Sequence, residues 1–422
     1  MGDTETDPCV AVARDILRAN DRGGYTVPTD RLYPFQWNWD SCFVAMGWAT
    51  FDERRAWREL GLLLESQWDD GMVPSVIFHA PSDDYFPGPA VYAVPRTPPT
   101  SGTCNPPVLT TAVRRLHDTA GDPAAAADQL AAWFPKLVVN HRWWRHARDP
   151  HGIGLVATLH PWETGMDNSP AWDAALARVP TDTETVIRRR DTSHVDPAMR
   201  PHAEDYQRFI HLVDRYRGVG WDAARTYAVA PFRVADVGTN AILLRAEHDL
   251  LALAERYGSE ADRAEIAGRI AALQAGVSRL WDAERGIFTS YDLIADAPIP
   301  ASTCAGFLPL FAHAASPEQV ASLAETIREW SRRAPWPVAS AEPGGASFEQ
   351  RRYWRGPVWA VVNWMIAEGL IGQGEAELGA MVRARTRRMI ADAGFSEYFD
   401  PLTGAGLGGE RFSWTAAIYL LV

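Results

Sequence analysis

Cysteine is scarce in this chain. Its four residues, Cys9, Cys42, Cys104 and Cys304, form no CxxC pair, which excludes a metal knuckle or a thioredoxin-like motif. Basic charge is also short. The net charge is −12, and no basic stripe, RNP motif or zinc-finger spacing occurs, so nucleic acid is not an expected partner. No apolar run is long enough to span a membrane. The opening MGDTETDPCV lacks the basic and apolar stretches of a secretory leader, which makes the cytoplasm the expected location. Histidines form no HExxH set, the acidic pair in PSDD (81–84) lacks the Gly and Glu of a calcium loop, and no Walker or Rossmann glycine pattern is present. No metal and no cofactor are expected.

Strand patterns are few, and the apolar periodicity is helical. Clear helices are expected over 52–67, 106–121, 123–149, 239–258, 259–282, 316–330, 356–370 and 375–394, with weaker ones at 8–20, 40–50, 204–218 and 413–421. Asn105 is expected to cap the second, and Pro135 to break or kink the third. Thr239 or Asn240 is expected to cap the fourth, and Pro357 to sit in the first turn of the seventh. Several helices end in Gly followed by a short extended or aromatic segment, the pattern of stacked helical hairpins. An open array would need a polar terminal cap. The last segment, SWTAAIYLLV, is apolar to its end, so a closed ring is expected: an all-α (α/α)6 barrel forming one catalytic domain over 1–422. Two long non-helical insertions, at about 69–105 and 174–205, are read as loops over the cleft, the second as a lid.

Tryptophan is abundant, with 18 residues. HPWETGMDNSPAWD (160–173) sets Glu163, Asp167 and Asp173 among Trp162, Trp172, His160 and Asn168. GFSEYFDP (394–401) sets Glu397 and Asp400 among aromatics. Aromatic faces stack on sugar rings, and carboxyls bond hydroxyls or move protons. Asp167, at the centre of its turn and partly in apolar surroundings, is the preferred general acid, with Glu163 and Asp173 as rivals. Glu397 is the preferred base. Asp400, followed by Pro401 and Thr403–Gly404, reads as turn chemistry. YPFQWNWDSCF (33–43) supplies Tyr33, Gln36, Trp37, Trp39 and Asp40. Asp40 could merely cap a helix, but the tryptophans and amides around it favour a sugar-binding edge. RRYWRGPVWAVVNW (351–364) places Tyr353, Trp354, Gly356 and Trp359 in an Arg-rich aromatic rim suited to an anionic substrate group.

Taken in order, FQWNWDS, WETGMDNSP, RPHAEDY (200–206), RYWRGPVWAVVNW, SEYFDPLTG and FSWTAA resemble the bacterial branch of glycoside hydrolase family 63, the glucosylglycerate and mannosylglycerate hydrolases. The resemblance spans nearly the whole chain. It implies an (α/α)6 barrel and inverting hydrolysis of an α-glycosidic bond, with Asp167 as general acid and Glu397 as general base. It puts Trp39 and Asp40 on the glycone, and Arg200, Tyr206, Tyr353 and Trp354 on a carboxylated aglycone. One departure stands out: SGTCNPPV carries Asn105 where this branch commonly has Gln, one methylene longer.

The expected activity is release of a hexose from a small carboxylated glycoside such as glucosylglycerate. Glucose is favoured over mannose, although no motif separates them. An inverting pair should hold its carboxyls ~6.5–9.5 Å apart. Three alternatives stand beside this reading. One is an α-glucosidase for neutral substrates, with Arg200 paired only to neighbouring acids. Another is an (α/α)6 sugar isomerase, which would need a histidine pair, with His160 the best placed. The last is a non-catalytic carbohydrate-binding protein. The partner expected is a small carbohydrate, and homo-oligomerisation is left open.

Overall fold

The computed structural model describes residues 7–30 and 32–422. The first six, read above for a leader, lie outside the described residues. Among the described residues, twelve helices have nine or more residues: α1 Pro8–Asn20, α2 Asn38–Trp48, α3 Glu53–Glu65, α4 Leu109–Asp118, α5 Pro123–Arg148, α6 Ala203–Gly218, α7 Val237–Tyr257, α8 Glu260–Ser278, α9 Pro317–Arg333, α10 Ala360–Gly372, α11 Ala376–Ala393 and α12 Ser413–Leu421. Strands are pairs of residues, joined antiparallel in small ribbons such as Gln36–Trp37 with Val76–Ile77 and Tyr398–Phe399 with Gly406–Leu407. No helix among the described residues is long and apolar enough to cross a membrane.

Helix contacts close on themselves. α12 packs on α2, α2 on α4, α4 on α7, α7 on the 3₁₀ segment Cys304–Leu310, that segment on α10, and α10 back on α12. α1, α3, α8 and α11 lie against α12, α2, α7 and α10 respectively. Sequence explains the two layers. Every residue of α2 is buried, and α10 buries all but Glu368, Ile371 and Gly372, as expected of inner helices. α3 buries only Ala56, Glu59, Leu60, Leu63 and Leu64, a single stripe.

Termini follow local chemistry. Ser259 with Asp262 and Ser316 with Gln319 form capping boxes on α8 and α9. Four expectations need correction. α7 is capped by Asp236, which accepts from the Gly238 and Thr239 amides, not by Thr239 or Asn240. α4 starts at Leu109 with Val108 as its N-cap, so Asn105 is not the cap. α5 runs through Pro135 without interruption, because the turns on either side carry the helix past one missing donor. α10 starts only at Ala360. The Val358 amide and carbonyl are exchanged with Phe399, which holds the backbone extended past Pro357.

A buried carboxylate ties the first aromatic motif to this frame. Glu59 on α3 is fully buried and accepts from Thr26 N (3.2 Å), Thr26 Oγ1 (2.8 Å), Gln36 Nε2 (3.2 Å), Ser41 Oγ (2.5 Å) and Arg55 Nη2 (2.7 Å). Gln36 and Ser41 flank Trp37–Asp40, so this cluster fixes the strand-to-helix turn that presents them. Removing the one cation leaves a buried charge unpaired, which costs about 3–5 kcal/mol. Arg55→Leu is expected to lower stability by about that amount, read by chemical denaturation. A loss below about 1 kcal/mol would show that the neutral donors suffice.

Candidate active site

The site lies at the N-terminal ends of the inner helices. It is a cavity of about 920 Å³, open mouth included. Trp37, Trp39 and Asp40 enter at the start of α2, Asn105 just before α4, Tyr353 before α10, and Phe412 and Trp414 at the start of α12. Helix N-termini favour nearby negative charge, and carboxyls gather here: Asp40, Asp167, Asp191 and Glu397 all line the cavity. Arg200 is the one Arg or Lys among the described lining residues.

Asp167 sits in the loop between two 3₁₀ turns, Pro161–Thr164 and Pro170–Trp172. The loop is pinned on both sides. Trp172 Nε1 donates to the Met166 carbonyl at 2.7 Å, and the Trp354 amide donates to Asn168 Oδ1 at 2.9 Å. Gly165 turns the chain with φ +69°, and a Cβ there would sit 2.6 Å from the Trp39 ring. Burial pushes the Asp167 carboxyl up to about 7, against the lowering pull of Arg200. The residue is only partly covered and still reaches the solvent of the cavity.

Glu397 is buried and better supported. Oε1 accepts from Tyr33 Oη at 3.0 Å and Oε2 from the Gly409 amide at 3.0 Å. Arg200 Nη1 lies 3.6 Å from Oε1. Burial raises this carboxyl, while Arg200 and the donated bonds oppose it. Asp40 is raised well above the ordinary range, first by burial and then by the charge of Glu397. Two carboxyls in unlike surroundings can take opposite roles at one pH, one holding a proton and the other ionised.

Arg200 is buried between rings. Its guanidinium lies 4.2 Å from the Tyr353 centroid, with Nη2 donating to Tyr33 Oη at 2.8 Å and Nε to Asp191 Oδ2 at 3.1 Å. Nη1 has no hydrogen-bond partner. Asn105 also faces in. Its Nδ2 donates to the Trp162 carbonyl at 3.2 Å, and its Oδ1 is buried without a partner.

Of the residues proposed from sequence, Tyr33, Trp37, Trp39, Asp40, Asn105, Trp162, Asp167, Arg200, Tyr206, Tyr353 and Glu397 line the cavity. Five do not. Gln36 points to the Glu59 cluster. Glu163 pairs with buried Arg148 at 2.7 Å and accepts from the Leu159 amide. Trp354 and Trp359 stack on each other, centroids 3.8 Å apart at 2°, behind Tyr353. Gly356 is demanded by the Glu349 carbonyl, which lies against the place a Cβ would take. The rival Asp173 forms an exposed pair with Arg355, and Asp400 accepts from Gln350 and the Leu402 and Thr403 amides. His160 donates from Nε2 to the Phe209 carbonyl and accepts the Trp162 amide at Nδ1, and burial pushes it down to about 4. No histidine among the described residues lines the cavity, which leaves the isomerase reading without its acid–base pair. Sequence reasoning missed Tyr85, Phe86, Tyr92, Phe412, Trp414 and Asp191. The Asp inside RRRDTSH was the one available hint of the last.

Residues 33–415 match the model of the mannosylglycerate hydrolase MGH1-like glycoside hydrolase domain. The chain belongs to this family. A mannosylglycerate hydrolase of Selaginella moellendorffii is 48% identical over 96% of this chain and 84% of its own length. A glucosylglycerate hydrolase of Mycolicibacterium hassiacum is 34% identical over 97% and 96%. The crystal structure of a family 63 mannosylglycerate hydrolase from Thermus thermophilus, in complex with Tris and D-glycerate, superposes with a TM-score of 0.95. It has 47% identity and covers 98% of this chain and 99% of that one. The protein is therefore a glycoside hydrolase of family 63.

In this glycoside hydrolase, the close approach at Gly165 ties the Asp167 loop to Trp39. Gly165→Ala would strain a left-handed backbone and push into the indole. A displacement of about 1 Å in an active site can cost about 10²-fold. The variant is expected to fold with unchanged circular dichroism and lose about 10²-fold in kcat/KM. An unchanged rate would show that the loop can absorb the methyl group.

Proposed function

We propose that this enzyme hydrolyses an α-glycoside of glycerate with inversion, and that mannosylglycerate is its substrate ahead of glucosylglycerate. The observation that carries the anionic aglycone is Arg200, a buried guanidinium in the cavity whose Nη1 makes no hydrogen bond, although it lies 3.6 Å from Glu397 Oε1. A carboxylate is the natural acceptor for such a donor. Mannose moves ahead of glucose because relatives at 47–48% identity are named mannosylglycerate hydrolases, against 34% for the glucosylglycerate hydrolase. The closed ring of inner helices is read as an (α/α)6 barrel forming one catalytic unit. Segments 69–105 and 174–205 are read as its lid. Tyr206 Oη, on α6 just after the second segment, donates to the Phe86 carbonyl in the first, and Tyr398 Oη donates to the Met199 carbonyl in the second.

In this mechanism Asp167 protonates the glycosidic oxygen while Glu397 takes a proton from the attacking water on the opposite ring face. The environments support that division. Asp167 has no cation in hydrogen-bond reach, and burial raises it to about 7, so a protonated form is present near neutral pH. Glu397 has Arg200, Tyr33 and the Gly409 amide on its ionised form. Asp40 and the indoles of Trp39 and Trp414 are positioned to grip the sugar.

Arg200 paired only with a neighbouring acid was the mark of the neutral-substrate alternative, and Asp191 is such an acid. It takes the Nε edge, while Glu397 lies 3.6 Å from Nη1 without a hydrogen bond to it, so Nη1 still has a hydrogen bond to give.

Asp167→Asn and Glu397→Gln are each expected to reduce turnover by at least about 10²–10⁴-fold while keeping substrate affinity. Proton NMR of the wild-type reaction is expected to show β-hexose first. An α-anomer as first product would replace inversion by a covalent route. The pH profile follows from the signs. Activity falls as pH rises through about 7, where Asp167 loses its proton, and falls on the acid side as Glu397 gains one. An alkaline limb that persists in a residually active Asp167→Asn enzyme would reassign the acid.

A further inference from the structure

The segment that carries Asp167 also carries a carboxylate that turns away from the cavity. Glu163 lies in the 3₁₀ turn Pro161–Thr164, just before the Asp167 loop. It is 2% exposed, and Arg148, the last residue of α5, is 3% exposed. Arg148 Nη2 donates to Glu163 Oε1 at 2.7 Å, and Oε2 accepts from the Leu159 amide at 2.8 Å. Two charges taken out of water gain little net stability, and well-packed apolar residues of similar volume often do as well. What a bonded pair adds is a fixed direction. We propose that Arg148 is a positioning residue for the general acid: through Glu163 it ties the Asp167 loop to the end of α5 and sets where the carboxyl stands.

The inference rests on the role assigned above to Asp167. The path from Arg148 to it is continuous. Arg148 is itself held, with its guanidinium 4.6 Å from the Trp143 ring centroid and its carbonyl accepting the Ala157 amide at 2.8 Å. Glu163 and Thr164 share one turn. Thr164 Oγ1 donates to the Pro161 carbonyl at 2.7 Å and accepts the Met166 amide at 2.9 Å. Met166 is the residue before Asp167, and its carbonyl takes the Trp172 indole. Between Thr164 and Met166, Gly165 lies against the Trp39 ring. The loop is thus gripped from α2 on one side and from α5 on the other. Losing the second grip leaves the turn free to shift along the indole. A general acid must come within about 2.6–3.2 Å of the oxygen it protonates, so a small shift is enough to disable it.

The leaving group separates a misplaced acid from general damage. Release of glycerate needs a proton on the glycosidic oxygen. In α-mannosyl fluoride the C–F bond breaks with its electron pair, fluoride leaves as the anion, and water bonds to the sugar carbon while Glu397 takes its proton. No acid is required. Arg148→Met/Glu163→Gln removes the pair without leaving a buried charge, and the Gln still accepts the Leu159 amide. With mannosylglycerate this variant is expected to lose about 10²-fold in kcat with KM nearly unchanged. With α-mannosyl fluoride it is expected to keep most of its rate, and Arg148→Lys is expected to fall between wild type and the double variant. Equal losses on the two substrates, or an unchanged kcat on mannosylglycerate, would overturn the inference. If the double variant does not fold, Glu163→Gln alone decides. It weakens a charge-assisted bond roughly twofold, and its loss is again expected to be larger on mannosylglycerate than on the fluoride; a loss equal on both refutes the proposal. A second readout needs no fluoride. Residues acting as a unit are not additive, so adding the pair change to Asp167→Asn is expected to cost the residual mannosylglycerate turnover nothing further. A second full loss would refute the inference. Failure of the acid assignment looks different: Asp167→Asn would turn over mannosylglycerate normally, or lose both substrates alike, whatever the pair variants do.

Discussion

One guanidinium, that of Arg200, lines the cavity together with four carboxyls. Taking a carboxylate out of water costs several kcal/mol unless a partner compensates it. Asp191 has Arg189 as well, but Asp40, Asp167 and Glu397 have only Arg200 among the described lining cations, and burial raises all three. That constraint is what makes acid–base chemistry available. Asp191 and Glu397 lie closest to the cation, at 3.1 and 3.6 Å. Asp167 and Asp40 are left to burial and driven toward their neutral forms. The fold accordingly commits many contacts to holding Arg200 in place. Tyr33 and Tyr353 flank it, Arg352 donates to its carbonyl at 2.8 Å, and the Arg189–Asp191 pair fixes its Nε edge.

The ring of inner helices supplies the rigid ground for this balance. The stack of Trp354 on Trp359, continued by Tyr398 at 4.6 Å, forms a wall behind Tyr353 and beside Glu397. Trp39 meets Trp414 edge to face at 5.5 Å and closes the floor from the other side. Aromatic contacts of this kind give area with few rotamers to freeze. The Glu59 cluster does the same work with hydrogen bonds at the start of α2. Asp167 and Asp40, unlike Arg200 and Asp191, are placed without an ion-pair partner, which leaves burial as the largest influence on their protons.

The helices were legible because their signals are local: apolar period, capping side chain, terminal glycine. One slip came from a distant contact, Val358 exchanging bonds with Phe399 and delaying α10 by a few residues, whereas the α7 cap was missed locally, at Asp236. The carboxyl-bearing motifs were legible too, since Asp167 and Glu397 both line the cavity. Neighbouring residues in the same motifs were harder to place. Tyr353 faces the cavity while Trp354 turns away, and Trp162 faces it while Glu163 turns to Arg148. Adjacent side chains in a tight turn diverge, and their composition does not say which one points inward. Asp191 was invisible for a different reason. It lies in a polar stretch without aromatics, and its importance comes only from the two arginines the fold brings to it.

Asn105 shows how this balance divides recognition between charge and shape. Its Nδ2 must be the donor to the Trp162 carbonyl, so Oδ1 is the atom left over, buried in the cavity wall. An amide oxygen repels a carboxylate and accepts from a hydroxyl. Oδ1 therefore cannot take an anion, although Nδ2 keeps a second N–H beyond the one given to Trp162. It suits a neutral hydroxyl, whether of the sugar or of the glycerate carbon chain. Around it stand the phenols Tyr33, Tyr206 and Tyr353 and the guanidinium of Arg200, so donors and acceptors share the wall and shape decides which of them one group can reach.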